Sequence, residues 1–135
     1  MQILSFLAGL MTLASSSTST LPVESPVRAE IGSSTIKQLI YDKGLGVGLS
    51  EAKIGQIFAT IECESRYRNI QSQIVKDGIQ ELSFGISQIS IIHHPHITKE
   101  MALDIEYSVN FIVDEFAKGH EKKWSCWRKL YPVDN

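Results

Sequence analysis

The sequence predicts a mainly α, α+β domain in which a small β-hairpin or irregular excursion interrupts a helical framework. Three observations carry this expectation. Apolar residues recur at helical spacing in IKQLI, in IGQIFATI and again at Tyr107, Phe111, Ile112 and Phe116. Between the second and third of these patterns, the segment SRYRNIQSQIVKDGIQELSFGISQIS alternates apolar and polar residues around Gly78 and Gly85. A chain of 135 residues with 43% hydrophobic and 21% charged content is long enough for one domain with its own core.

The elements follow in order. An apolar run from Ile3 to Leu13 leads into the small residues Ala14-Ser15-Ser16, which reads as a signal peptide over 1–16, with a buried N-terminal helix as the alternative. Any membrane contact would be transient, through that segment, because a run this short falls below the roughly 20 residues of a span. Residues 17–33 are rich in Ser, Thr and Pro and read as a linker, with Pro22 and Pro26 opposing regular structure. The folded domain is expected over 34–135. Ser34 or Thr35 is a candidate cap for a first helix that Gly44 would stop, and Ser50 caps a second that is apolar nearly all round. After HHPHIT, Thr98 would cap a long helix that Gly119 ends, and KKWSCWRKLY supplies a last helical turn or two.

Charge narrows the function classes. A formal net charge of −2 offers no excess of cations for a phosphate backbone, so nucleic acid is not an expected partner. The same balance predicts no long-range attraction toward an acidic polymer. Two cysteines, Cys63 and Cys126, in a chain with an export signal suggest one disulfide; two buried free thiols are the alternative. Closing so long a loop would stabilise the fold by about 4 kcal/mol in the chain-entropy description. No HExxH, GxSxG or GxxxxGK[ST] motif is present, and no cofactor is expected. His93, His94 and His96 cluster around Pro95, whose turn splays them, so no metal is expected there.

Glu64 is the side chain best placed for acid chemistry. Counting 100° per residue from Ile54, the apolar stripe is Ile54, Ile57, Phe58 and Ile61, and Glu64 lies at its edge near the helix end. A carboxyl half in an apolar face and half in a cleft keeps its proton to higher pH, as glycosidic cleavage requires. Spacing alone equally permits Glu62 and Glu64 to be solvated residues at a helix end.

The stretch ECESRY…NIQS…GIQELSFGISQIS resembles the lysozyme-like superfamily, in its lytic transglycosylase and goose-type lysozyme branch. There a Glu-Ser at a helix end is followed, about twenty residues later, by a small-x-Gly-hydrophobic-x-Gln-hydrophobic segment, here Glu64-Ser65 and Ser83 to Ile89. Ser72 fits a serine that this family often carries between the two. The resemblance implies a lysozyme-like fold and Glu64 as catalytic acid on the β-1,4 bond of peptidoglycan. It places Ser65 as a neighbour that holds the turn or contacts substrate, and Ser83, Gly85 and Gln88 along the groove. Gly85 would let the backbone approach the glycan, and the Gln88 amide could both donate to and accept from an acetamido group.

Two departures bear on mechanism. The family's later Ala-Tyr-Asn-x-Gly segment has no counterpart, leaving Tyr107, Trp124, Trp127 and Tyr131 as alternatives for its aromatic residue. Its second aspartate corresponds to Ser90, so Asp77 and Glu81 are the candidates for a second carboxylate, unless both are exposed turn residues. With that carboxylate roughly 5 to 9.5 Å from the acid, hydrolysis follows. Without one, the resemblance implies a lytic transglycosylase that leaves an anhydro-sugar. A secreted or cell-envelope monomer binding a glycan strand is expected, with a non-catalytic glycan-binding module as the alternative.

Overall fold

The computed structural model describes residues 32–134; the leader, the linker up to residue 31 and the transient membrane contact expected of the leader lie outside the described residues. Within them no helix is long and apolar enough to cross a membrane. The chain is mainly helical with two small antiparallel hairpins. Its elements run α1 (Ser33–Gly46), α2 (Glu51–Ser65), β1 (Val75–Lys76), β2 (Ile79–Gln80), β3 (Ser83–Phe84), β4 (Ile89–Ser90), α3 (Lys99–Ala102), α4 (Ile105–Ala117) and α5 (Ser125–Leu130). A single 3-10 turn, Glu121–Lys123, joins the last two helices.

One core organises the helices. Ile36 and Ile40 of α1, Ile54, Ile57 and Ile61 of α2, and Val109, Ile112, Val113 and Phe116 of α4 meet Trp124, Trp127 and Ile86 in a buried cluster. A smaller cluster of Phe84, Ile89, Ile97 and Ala102 sits beneath the second hairpin. The first hairpin, by contrast, is exposed on both strands.

Several local expectations change. Neither Ser34 nor Thr35 caps α1: both lie inside the helix, which starts after Gly32 without any side-chain cap. Gly44 does not stop α1 either. It lies inside the helix, where a Cβ would come within 2.7 Å of Ile54 Cγ1, so its small size admits α2. Helix α2 is one-sided, with Glu51, Gly55, Glu62 and Cys63 exposed. The long helix expected from Thr98 is broken at Leu103, because the Asp104 carboxylate accepts from the Tyr107 N–H at 2.8 Å and starts α4 afresh.

The excursion after α2 forms two hairpins, pairing Val75 with Gln80 and Ser83 with Ser90. Asp77 (φ 51°) and Gly78 (φ 76°) make the two-residue turn of the first, as an Asp-Gly pair favours. The second hairpin's tip, Gly85-Ile86-Ser87-Gln88, is inserted into the protein. Ile86 and Ser87 are fully buried, and the Ser87 and Ser108 hydroxyls lie 2.5 Å apart. Gly85 has φ 83°, and a Cβ there would stand 1.9 Å from the Ala102 carbonyl oxygen. The glycine is therefore required by the backbone that packs on it, and Gly85 faces the α3–α4 region.

Gly85→Ala should destabilise the protein by about 3 kcal/mol or more, since a left-handed conformation and a backbone clash add. Gly119→Ala, at φ 76° but in open space, should cost only about 1–2 kcal/mol. Urea denaturation of both variants checks the difference.

Candidate active site

The last turn of α2 carries three consecutive side chains, and each reaches a different part of the chain. Cys63 forms the disulfide with Cys126, with an S–S distance of 2.05 Å and Cα atoms 5.9 Å apart. Glu64 Oε1 accepts from the Cys126 N–H at 3.0 Å. Ser65 Oγ donates to the Ile86 carbonyl at 2.6 Å. Beyond them Arg66 (φ 53°) and Tyr67 (φ 60°) both adopt the left-handed conformation and end the helix. Tyr67 is held there by burial and by its hydroxyl, which donates to the Phe58 carbonyl at 3.0 Å.

Helix α5 has no side-chain cap of its own, and its first N–H groups need an acceptor. Glu64 supplies one from another helix. The helix N-terminus favours the carboxylate, but burial opposes it more strongly. Burial raises the Glu64 pKa above its ordinary value, the Cys126 N–H pulls it down, and the charge of Glu81 raises it again. Lys129 and the Ser125 hydroxyl act downward more weakly. The net direction is upward.

Glu64 opens on a cleft of ≈ 1040 Å³ between the hairpins and the C-terminal segment. Ser83, Gln88 and Ser90 line it from the second hairpin, and Glu81 from the connection between the hairpins. Trp124 and Phe111 supply its aromatic surface, with ring centroids 6.1 Å apart. The Trp124 indole N–H donates to the Ser87 carbonyl at 2.7 Å, fixing the ring against the hairpin tip. Tyr107, Trp127 and Tyr131 do not line the cleft.

Other sequence candidates fall differently. Ser65 is buried outside the cleft lining and holds the helix end, and Gly85 is likewise outside it. Both Gln88 amide hydrogens are spent on the Ile70 and Gly85 carbonyls, at 3.0 and 2.8 Å, so this side chain meets a ligand only as an acceptor. Ser72 accounts for the position of Glu81: its hydroxyl donates to Glu81 Oε2 at 2.7 Å. Asp77 sits on the exposed hairpin turn away from the cleft lining. His94 stacks edge-on against Phe111 at 5.0 Å, and among the described residues no group of three or more side chains could hold a metal ion.

The charge lining this cleft differs from the balance of the whole chain. Lys76, Lys123, Arg128 and Lys129 line the cleft against only Glu64 and Glu81, so its sign is opposite to that of the whole chain. The basic run around Trp124 and Trp127 was the available signal, and averaging charge over 135 residues concealed it. The exposed aliphatic residues Ile74, Ile79 and Ile92 in the same lining had no comparable signal. No protein family, curated protein or solved structure matches the chain.

A raised carboxyl pKa means that the folded state binds its proton more tightly, so Glu64 costs stability as pH rises through the interval above the unfolded value of 4.5. Glu64→Gln keeps an acceptor for the Cys126 N–H and removes that cost. The variant should melt higher than the parent at neutral pH, and the difference should shrink as pH falls toward 4.5 and be gone below about 4. Thermal melts across this pH range test it.

Proposed function

We propose that the chain is a secreted, lysozyme-like enzyme that cuts the β-1,4 glycan linkage of peptidoglycan by the lytic transglycosylase course, with Glu64 as general acid and then base. The observation that carries this reading is the half-buried Glu64 carboxyl, raised in pKa, fixed through one oxygen and opening on a long cleft. The resemblance of Glu64-Ser65 and of the Ser83 to Ile89 segment to lytic transglycosylases supports it, and so does a disulfide, which suits an oxidising compartment.

In this reading Oε1 stays on the Cys126 N–H while Oε2 gives its proton to the glycosidic oxygen as the C1–O bond breaks. The substrate's acetamido oxygen closes on C1. Glu64, now a carboxylate, takes the proton of the sugar's 6-hydroxyl, whose oxygen attacks C1 and expels the acetamido oxygen. No water is consumed, and the product is an anhydro-sugar. Gln88 accepts from an N–H or hydroxyl of the sugar, Ser83 lines the bound strand, and the exposed aliphatic wall receives acetamido methyl groups.

Glu81 favours a second course on the same bond. It shares the cleft with Glu64, and its charge acts on Glu64, so a water activated there would give hydrolysis. Mass analysis of released fragments separates the courses, because a reducing end and an anhydro end differ by one water.

Glu64→Gln should lower the rate of fragment release at least about 10²-fold with binding retained, whereas Glu62→Gln should stay near the parent rate. Release of fragments by neither the parent nor the Glu62 variant would leave a glycan-binding module.

Activity should fall as pH rises through the Glu64 pKa. Glu81→Gln removes a like charge and should move that limb to lower pH while anhydro ends are still produced. A collapse of the rate in Glu81→Gln, with reducing ends from the parent, would establish hydrolysis instead.

A further inference from the structure

The cleft contains cations that the reaction does not use. Lys123 is committed: its ammonium lies 2.5 Å from Glu115 Oε2, in a cluster with His120. Lys76 on β1 and Arg128 and Lys129 on α5 are different. They line the same cleft, are exposed, and have no carboxylate within ion-pair distance among the described residues. Arg128 places one guanidinium N–H on the Lys122 carbonyl, which orients the group and leaves its remaining donors available.

The sugar backbone of a wall glycan, with its lactyl groups held as peptide amides, is neutral, and the side chains that suit it are acceptors, amides and flat rings, as Gln88 and Trp124 provide. Three cations that form no ion pair among the described residues add nothing to that recognition. In a chain with more acidic than basic residues their gathering around one cleft calls for an anionic ligand group.

We propose that Lys76, Arg128 and Lys129 form a subsite for anionic groups, carboxylate or phosphodiester, carried as substituents on the glycan strand. The subsite rests on the reading that the cleft holds a wall glycan. It makes the enzyme selective for strands that carry such groups over strands in which they are removed or neutralised, and it is sensitive to salt because the cations are exposed.

The test measures binding of the full chain carrying Glu64→Gln, so that the polymer survives, to three forms of purified peptidoglycan. One is intact with its attached phosphodiester polymers, one has those polymers removed by acid, and one has the carboxyl groups of its stem peptides converted to neutral amides with carbodiimide and ammonia. Binding is read by co-sedimentation at about 20 mM and about 300 mM salt. The intact form should bind about tenfold more tightly than a form lacking the recognised anion, since exposed ion pairs contribute only a few-fold each. That advantage should vanish at high salt and in the combined Lys76→Gln, Arg128→Gln, Lys129→Gln variant, and should persist in Lys76→Arg with Lys129→Arg. The form that loses affinity identifies carboxylate or phosphodiester as the source. If the combined variant fails to fold, the three single substitutions should each lower affinity a few-fold. Equal binding of all three forms, or an advantage that survives neutralisation of the cations, overturns the subsite and leaves the proposed reaction standing. Binding to none of the forms overturns both.

Discussion

The clamped last turn of α2 is the constraint on which the rest of the structure depends. Cys63, Glu64 and Ser65 follow one another, so a helical turn points them in three directions, and each finds a partner far away in sequence. The disulfide and the Glu64 carboxylate together set where α5 begins, and Ser65 sets how deeply the second hairpin enters. The cleft is the space left between these two attachments. Its aromatic surface is fixed from the same places, since Trp124 immediately precedes α5 and bonds to the hairpin tip.

Within this clamp Glu64 serves two requirements that conflict. As the distant cap of α5 it is best ionised, because a helix start attracts negative charge. As the proton donor proposed for it, it is best neutral, and burial together with the charge of Glu81 drives it that way. Holding one oxygen on a backbone N–H reconciles them geometrically, since that oxygen accepts in either protonation state and the proton resides on the other. The neighbouring Glu115 shows the opposite balance. Burial would raise it, but hydrogen bonds from Lys123 and His120 outweigh that and hold its pKa low.

Much of this was legible in the sequence wherever one local rule governed. The apolar spacing around Ile54, Ile57 and Ile61 located α2 and put Glu64 at its end, and the alternation around Gly78 and Gly85 located the excursion but not its division into two hairpins. The pairing of Cys63 with Cys126 followed from their number and the expected compartment. Features decided by distant partners were not legible. Asp104 outcompeted a continuous helix from Thr98, and Gly44 became an interior helical residue because Ile54 packs against it. The amide of Gln88 was consumed by the turn that contains it. The cationic cleft arose only when β1 and α5, some fifty residues apart, faced one space.

The buried hairpin tip has a consequence for how such sequences are compared. The most recognisable string in the chain, around Gly85, consists largely of residues that seat a loop between helices: a glycine under a carbonyl, an isoleucine in the core, and a serine bonded to Ser108. Selection for a folded chain would preserve that string in a descendant that had lost its chemistry altogether. In a screen for loss of the proposed activity, damage at Ser65, Gly85 or Ser87 would score alongside damage at Glu64, although the first three lie outside the cleft lining. Scoring soluble yield in parallel would divide the hits into two groups, those that unseat the loop and those that act in the cleft.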